Sequence, residues 1–160
     1  FRFEKFFNKL NNIEIKSEFY NNAKNRYSGN KITFHLGDSS IKLIDICKTL
    51  NNNVIFFLDG HWSAGNTGRG SKDCPLYEEL EAINNNLNNK AIIIIDDCRL
   101  FGIGPNTTNG HEVCNWQDIS MNKILKLVKN RLDIYYSLPS KLDQNDRLVL
   151  HLNEKNRGDN

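Results

Sequence analysis

Three carboxylates and one imidazole stand where two apolar runs end. Val54-Ile-Phe-Phe-Leu58 leads into Asp59-Gly60-His61, and Ala91-Ile-Ile-Ile-Ile95 leads into Asp96-Asp97. Both runs are continuously hydrophobic, as strands buried on both faces of a parallel sheet must be. Parallel neighbours lie about 4.8 Å apart. If these two are neighbours, three carboxylates crowd the carboxyl end of one sheet, where open α/β folds bind ligands. Like charges that close need a cation, a basic side chain or a shared proton. The structural alternative is helix capping by the acids and a salt bridge to Arg99 or Lys72. In that case Asp96 turns to the backbone and leaves Asp59 and Asp97 available.

The elements that must position these groups alternate along the chain. Phe3, Phe6, Phe7 and Leu10 have helical spacing, which predicts an opening helix. Asn12–Lys16 alternates like a strand. Ser17 is placed to cap a helix to about Tyr27, with Phe19, Tyr20 and Ala23 on its inner face. Lys31–Leu36 is a strand, and Gly37-Asp38-Ser39 turns into a helix ending near Leu50. The first acid-ended strand follows, then a glycine-rich loop from Gly60 to Gly70. Pro75 opens a helix to about Leu87, and the second acid-ended strand comes next. A loop over residues 102–115 leads to a helix over about 117–130. Strands at Leu132–Leu138 and Arg147–Leu152 close the chain as an antiparallel hairpin. This order predicts an α/β fold, a three-layer Rossmann-like and mostly parallel sheet with a C-terminal antiparallel hairpin. Loops as long as the two at strand carboxyl ends are functional or disordered.

Length and composition fit one domain. The 160 residues suffice for a sizeable core, read as a domain over 1–152 with a polar tail over 153–160. Hydrophobic residues at 39% and charged residues at 25% are an ordinary soluble balance. A net charge of +2 gives no case for nucleic acid or an acidic membrane surface. No apolar run approaches the roughly 18 residues of a membrane span, and no signal peptide opens the chain. Cys47, Cys74, Cys98 and Cys114 form no CxxC pair, so reduced thiols and a cytoplasmic setting are expected.

With its hairpin end and its acids after successive strands, the chain resembles the class I S-adenosylmethionine-dependent methyltransferases over about residues 12–152. That family's strand order is 3-2-1-4-5-7-6, and Asn12–Lys16 would be its second strand. The resemblance implies that Glu14, or less strongly Glu18, accepts hydrogen bonds from the cofactor's ribose hydroxyls. It also implies that Asp38, with Ser39 in the Gly37-Asp38-Ser39 turn, contacts adenine. Asp59, Asp96 and Asp97 are similar in layout to the Mg²⁺ or Mn²⁺ ligands of the metal-dependent sugar and catechol O-methyltransferases. There the metal lowers the pKa of a substrate hydroxyl, and His61 would serve as general base beside Asp59. The family's first strand and glycine-rich turn have no counterpart before Asn12. The expectation is an N-terminally truncated domain with a gap in its sheet.

Other residues carry weaker readings. A histidine among three acids has a raised pKa when no metal is present. Arg69, Lys72 and Asp73 are candidates for substrate contact. Gly65-Asn-Thr-Gly-Arg-Gly70 lacks the Gly-Lys-Ser/Thr ending of a P-loop. Cys74, Cys98, His111 and Cys114 match no common zinc spacing. Trp116 is expected to pack beneath a helix start. The expected partner is a small-molecule or sugar substrate, with self-association possible through an exposed sheet edge. Two other functions compete with methyl transfer: a non-catalytic relic or interaction domain of this fold, and a metal-dependent hydrolase.

Overall fold

The computed structural model describes residues 3–105 and 112–155. Its elements alternate as expected: β1 (Leu10–Glu14), α1 (Ser17–Asn25), β2 (Ile32–Leu36), α2 (Ser39–Thr49), β3 (Val54–Leu58), α3 (Leu76–Asn86), β4 (Ala91–Ile95), α4 (Met121–Val128), β5 (Leu132–Leu138) and β6 (Arg147–Leu152). β3 and β4 run parallel in the register Leu58↔Ile95, and β6 pairs antiparallel with both β4 and β5. The strand order of this sheet is β3-β4-β6-β5. β1 and β2 form a separate parallel pair. Among the described residues no strand joins the two sheets. The break falls where the resemblance placed the family's first strand.

Three local readings are corrected. The opening helix is a single 3-10 turn at Glu4–Phe6, because Leu10 already pairs with Ile32 in the ladder. Hydrogen bonding across strands overrides the helical spacing of four apolar residues. Ser17 does not cap α1: the cap position is Lys16, with no side-chain bond. Phe19 is exposed rather than on an inner face, with the Lys16 ammonium 4.6 Å from its ring centroid.

One face of the larger sheet carries the core. Phe56, Leu58, Ile93, Ile95, Leu148 and Leu150 point at Leu43 and Cys47 of α2, at Leu80 and Ile83 of α3, and at Ile124 and Val128 of α4. Arg131 is also buried and donates to the carbonyls of Asn84, Leu87, Asn89 and Asn153. It thereby ties the end of α3 to the start of β4 and the end of β6. The opposite face leaves Ile55 and Phe57 exposed. This asymmetry gives a test: Ile93→Ala should cost about 2–5 kcal/mol in urea unfolding, whereas Ile55→Ala should cost less than about 1 kcal/mol. Equal losses would mean that the two faces are equally covered.

Candidate active site

The β3–β4 register brings the two acid-ended strands out side by side. The Asp96 amide donates to the Leu58 carbonyl at 3.1 Å, so the chain beyond β4 leaves at the level of Asp59. Asp97 then adopts a left-handed conformation with φ of 60°. Such a φ is uncommon outside glycine, although aspartate tolerates it better than most residues. The turn sends the Asp97 carboxylate back toward β3. Asp97 Oδ2 lies 3.0 Å from His61 Nε2, and Asp59 Oδ1 lies 3.3 Å from the same nitrogen. His61 Nδ1 lies 3.0 Å from Ser63 Oγ, and its ring meets the buried Trp116 edge-on at 4.6 Å. Burial opposes the charged imidazole, yet the bonds and charges of Asp59 and Asp97 outweigh it and raise the His61 pKa.

Asp96 behaves differently from its neighbour. Its Oδ1 accepts the Asp97 amide at 3.1 Å and lies 3.0 Å from Arg147 Nε. Asp59, Asp96 and Asp97 therefore do not converge as one set. Two groups of metal-competent atoms form instead, Asp59 with His61 and Asp97, and Asp96 with Asp97 and Asp146, each within 4.8 Å. The second group is already neutralised: Arg99 bonds Asp97 at 2.5 Å and Asp146 at 2.7 Å, while Arg147 holds Asp96. The salt bridge to Arg99 anticipated as the structural alternative is thus present. In the first group a proton on His61 and a cation would compete for the same two carboxylates.

A cavity of about 270 Å³ opens at the carboxyl ends of β1, β2 and β3. Glu14, Asp38, Ser39, Asp59 and His61 all line it. Glu14 Oε1 accepts the Lys16 amide at 2.8 Å, and Asp38 Oδ1 accepts the Ser40 amide at 3.0 Å as the cap of α2. These bonds fall on one oxygen of each carboxylate. Ser39 donates to Glu79 of α3, and Glu18 lies on the exposed side of α1. The loop after β3 folds over the cavity. Lys16 Nζ reaches the Asn66 carbonyl at 2.5 Å, and a Cβ on Gly70 would stand 2.5 Å from Asp38 Oδ2.

Arg69 and Asp73 brace this loop. The Arg69 guanidinium lies 3.9 Å from the Trp62 ring centroid and bonds Asp73 at 2.8 Å. Asp73 also accepts the Asn115 amide at 2.9 Å, joining the two long loops. Lys72 pairs with Glu78 at the cavity rim. Burial pushes the thiols of Cys74 and Cys98 up to about 12, and no cysteine joins a metal-competent group among the described residues. His111 lies outside them.

Two functional groups escaped the sequence reading. Asp146 is buried at the start of β6 and fixes Arg99, which in turn holds Asp97. Its partner lies 47 residues away, so no local pattern announces it. Glu79 is buried beneath Gly60, where a Cβ would stand 2.8 Å from Glu79 Oε1 and 3.2 Å from Ser39 Oγ. Here a signal existed, since Glu79 shares the apolar stripe of Leu76, Leu80 and Ile83 at helical spacing.

No family model matches the chain, and no curated protein matches it. The fold does have a counterpart among solved structures. A protein of Listeria monocytogenes, described provisionally as an S-adenosylmethionine dependent methyltransferase, superposes with a TM-score of 0.53. The match covers 93% of this chain and 81% of that one at 12% identity. The chain therefore has the Rossmann-like fold seen in that protein, with a mostly parallel sheet and an antiparallel strand pair. Among the described residues no helix is long and apolar enough to cross a membrane.

Glu79 supplies a pH test. Burial raises its pKa from 4.5 to about 7, although the Ser39 hydroxyl opposes this. The folded state thus holds a proton that the unfolded state has released, so stability should fall as pH rises from about 4.5 to about 7. Relative to Glu79→Gln, the wild type should lose on the order of 3 kcal/mol across this window. Chemical unfolding at pH 5 and pH 8 measures the difference, and a constant gap would refute the assignment.

Proposed function

We propose that this chain is a methyltransferase-like domain that binds S-adenosylmethionine and acts on a hydroxyl of a sugar or small molecule. One observation carries this reading: a single cavity is lined both by the acids that end β1 and begin α2 and by Asp59 and His61 after β3. Its volume of about 270 Å³ is near the lower end of small-molecule sites. The donor set suits the cofactor. Glu14 and Asp38 each keep an oxygen beyond their backbone bonds, and carboxylates accept well from ribose hydroxyls and an adenine amino group. Ser39 orients the α2 start through Glu79. When bound, the cofactor supplies an electrophilic methyl group.

Asp59 and Asp97 form the substrate end. They hold His61 between them, and the imidazole can take a proton from a substrate hydroxyl only after it has lost its own. A raised pKa therefore keeps the base masked at low pH and frees it as pH rises. The same two carboxylates suit Mg²⁺ or Mn²⁺, which would lower the pKa of a bound hydroxyl. In this reading Asp96 contributes through Arg147 and not as a ligand, because its oxygen is engaged there.

The break between the two sheets favours the second reading, a non-catalytic relic or interaction domain of the same fold. Calorimetry separates the two. S-adenosylmethionine should bind the wild type and bind Asp38→Ala at least about tenfold more weakly, a loss of about 1.4 kcal/mol. Absence of binding heat in the wild type would favour the relic. Mn²⁺ should bind the wild type more tightly than Asp97→Ala, and equal binding would remove the metal. Release of phosphate from a generic phosphoester with Mn²⁺ would point instead to a hydrolase.

A further inference from the structure

The larger sheet ends in a bare strand on the side away from the break. β5 is its outer strand and, among the described residues, pairs only with β6. Free N–H and C=O groups on such an edge template further pairing, so natural edges are blunted by Lys, Pro, bulges or inward-pointing charge. In β5 the register shifts between Leu132 and Ile134, and Pro139 follows the strand. Between these two features Ile134-Tyr-Tyr-Ser-Leu138 carries no charge, Pro or Gly. Ile134 is 52% exposed, Tyr135 53%, Tyr136 43% and Leu138 40%. The register with β6 divides them between the two faces. Tyr135 and Ser137 stand opposite Leu150 and Leu148, on the side of the core. Ile134, Tyr136 and Leu138 stand opposite His151, Val149 and Arg147, on the side of Ile55 and Phe57. Tyr135 is half exposed although it faces the side of the helices, so the helix layer stops short of β5 and leaves room for another strand.

We propose that β5 pairs antiparallel with β5 of a second copy of this chain, about a two-fold axis that passes beside Tyr136. A strand added at this edge must match both faces at once, and the pattern of β5 is its own complement. With the axis normal to the sheet, Ile134 lies opposite Leu138 of the second copy, Tyr136 opposite its own counterpart, and Tyr135 opposite Ser137. Apolar and aromatic pairs of this kind are the units that stabilise an antiparallel ladder. The strand's own limits fix the register. An axis at Tyr135 keeps only residues 134–136 in the ladder before the register shift intervenes. An axis at Ser137 sets Tyr135 against Pro139, which has no N–H to donate. The axis at Tyr136 uses all five regular residues. It also brings exposed Asp133 beside the turn that carries exposed Lys141 of the second copy, so opposite charges meet at both ends. The contact is isologous and closes at two copies. A five-residue ladder is smaller than the standard interface of about 800 Å² per partner, so the dimer forms in a concentration-dependent way. β5 does not line the cavity, so this contact and the proposed cofactor site stand or fall on separate measurements.

Light scattering on the chain of 160 residues at rising concentration tests this. The mass should climb from that of one chain toward that of two between about 20 μM and about 1 mM. Tyr136→Lys should stay monomeric throughout, with a melting midpoint within about 3 °C of the wild type's. Ile55→Lys changes a residue equally exposed on the same face but away from this edge, and should dimerise as the wild type does. Cysteine crosslinking reads the register. Residues directly opposed in an antiparallel pair have Cα atoms about 4.5–5.5 Å apart, within disulfide reach. Tyr136→Cys should therefore give a covalent dimer when a thiol oxidant is added. Tyr135→Cys meets its counterpart only diagonally, at about 7–8 Å, and should crosslink far more slowly. The wild type, with four free cysteines buried or half-buried, is the blank. Four results would overturn the proposal: a wild type still monomeric at about 1 mM, growth past two copies, loss of the dimer in Ile55→Lys, or Tyr135→Cys crosslinking as fast as Tyr136→Cys.

Discussion

Two carboxylates cannot sit beside one imidazole unless something else fixes them there, and at the carboxyl end of this sheet that constraint organises the surroundings. Asp59 and Asp97 approach His61 Nε2 at 3.3 and 3.0 Å. Their mutual repulsion favours a proton on His61, which holds the pair together and raises the histidine pKa. The neighbouring charges are neutralised separately. Arg99 spans Asp97 and Asp146, and Arg147 takes Asp96. Asp96 and Asp146 are thus tied up by arginine, Asp59 faces His61, and Asp97 is shared between Arg99 and His61.

The fold supplies the precision this requires. β3 and β4 are held in register by five paired residues and by the core beneath them. The left-handed turn at Asp97 aims its carboxylate across the strand gap, and buried Asp146 reaches in from the hairpin to fix Arg99. On the other side, Glu79 pins Ser39 and passes directly under Gly60. One helix therefore links the first residue of α2 to the loop that carries His61. The Asp73 brace does the same for the two long loops.

Much of this was legible in the sequence because it depends on period and on local chemistry. The runs 54–58 and 91–95 read as parallel strands buried on both faces; they do pair in parallel, but β3 is buried on one face only, with Ile55 and Phe57 exposed because no element covers that side. The hairpin strands Leu132–Leu138 and Arg147–Leu152 match residue for residue. Asp38 at the turn into α2 and Trp116 in the core also follow their residue types. What failed depended on distant partners. The opening helix lost to the β1–β2 ladder, and Asp96 was drawn off by Arg147 from 51 positions away, a pairing no local spacing reveals. Asp146 stayed hidden for the same reason.

In the proposed function the site is a single unit that spans the break between the two sheets, with the acids of β1 and α2 on one side and the Asp59, His61 and Asp97 group on the other. The most direct measurement follows the backbone amide spectrum of the wild type during addition of S-adenosylmethionine. Residues 14–16, 37–39 and 59–61 should shift together along one binding curve. Shifts confined to one side of the break, or none at millimolar cofactor, would contradict it.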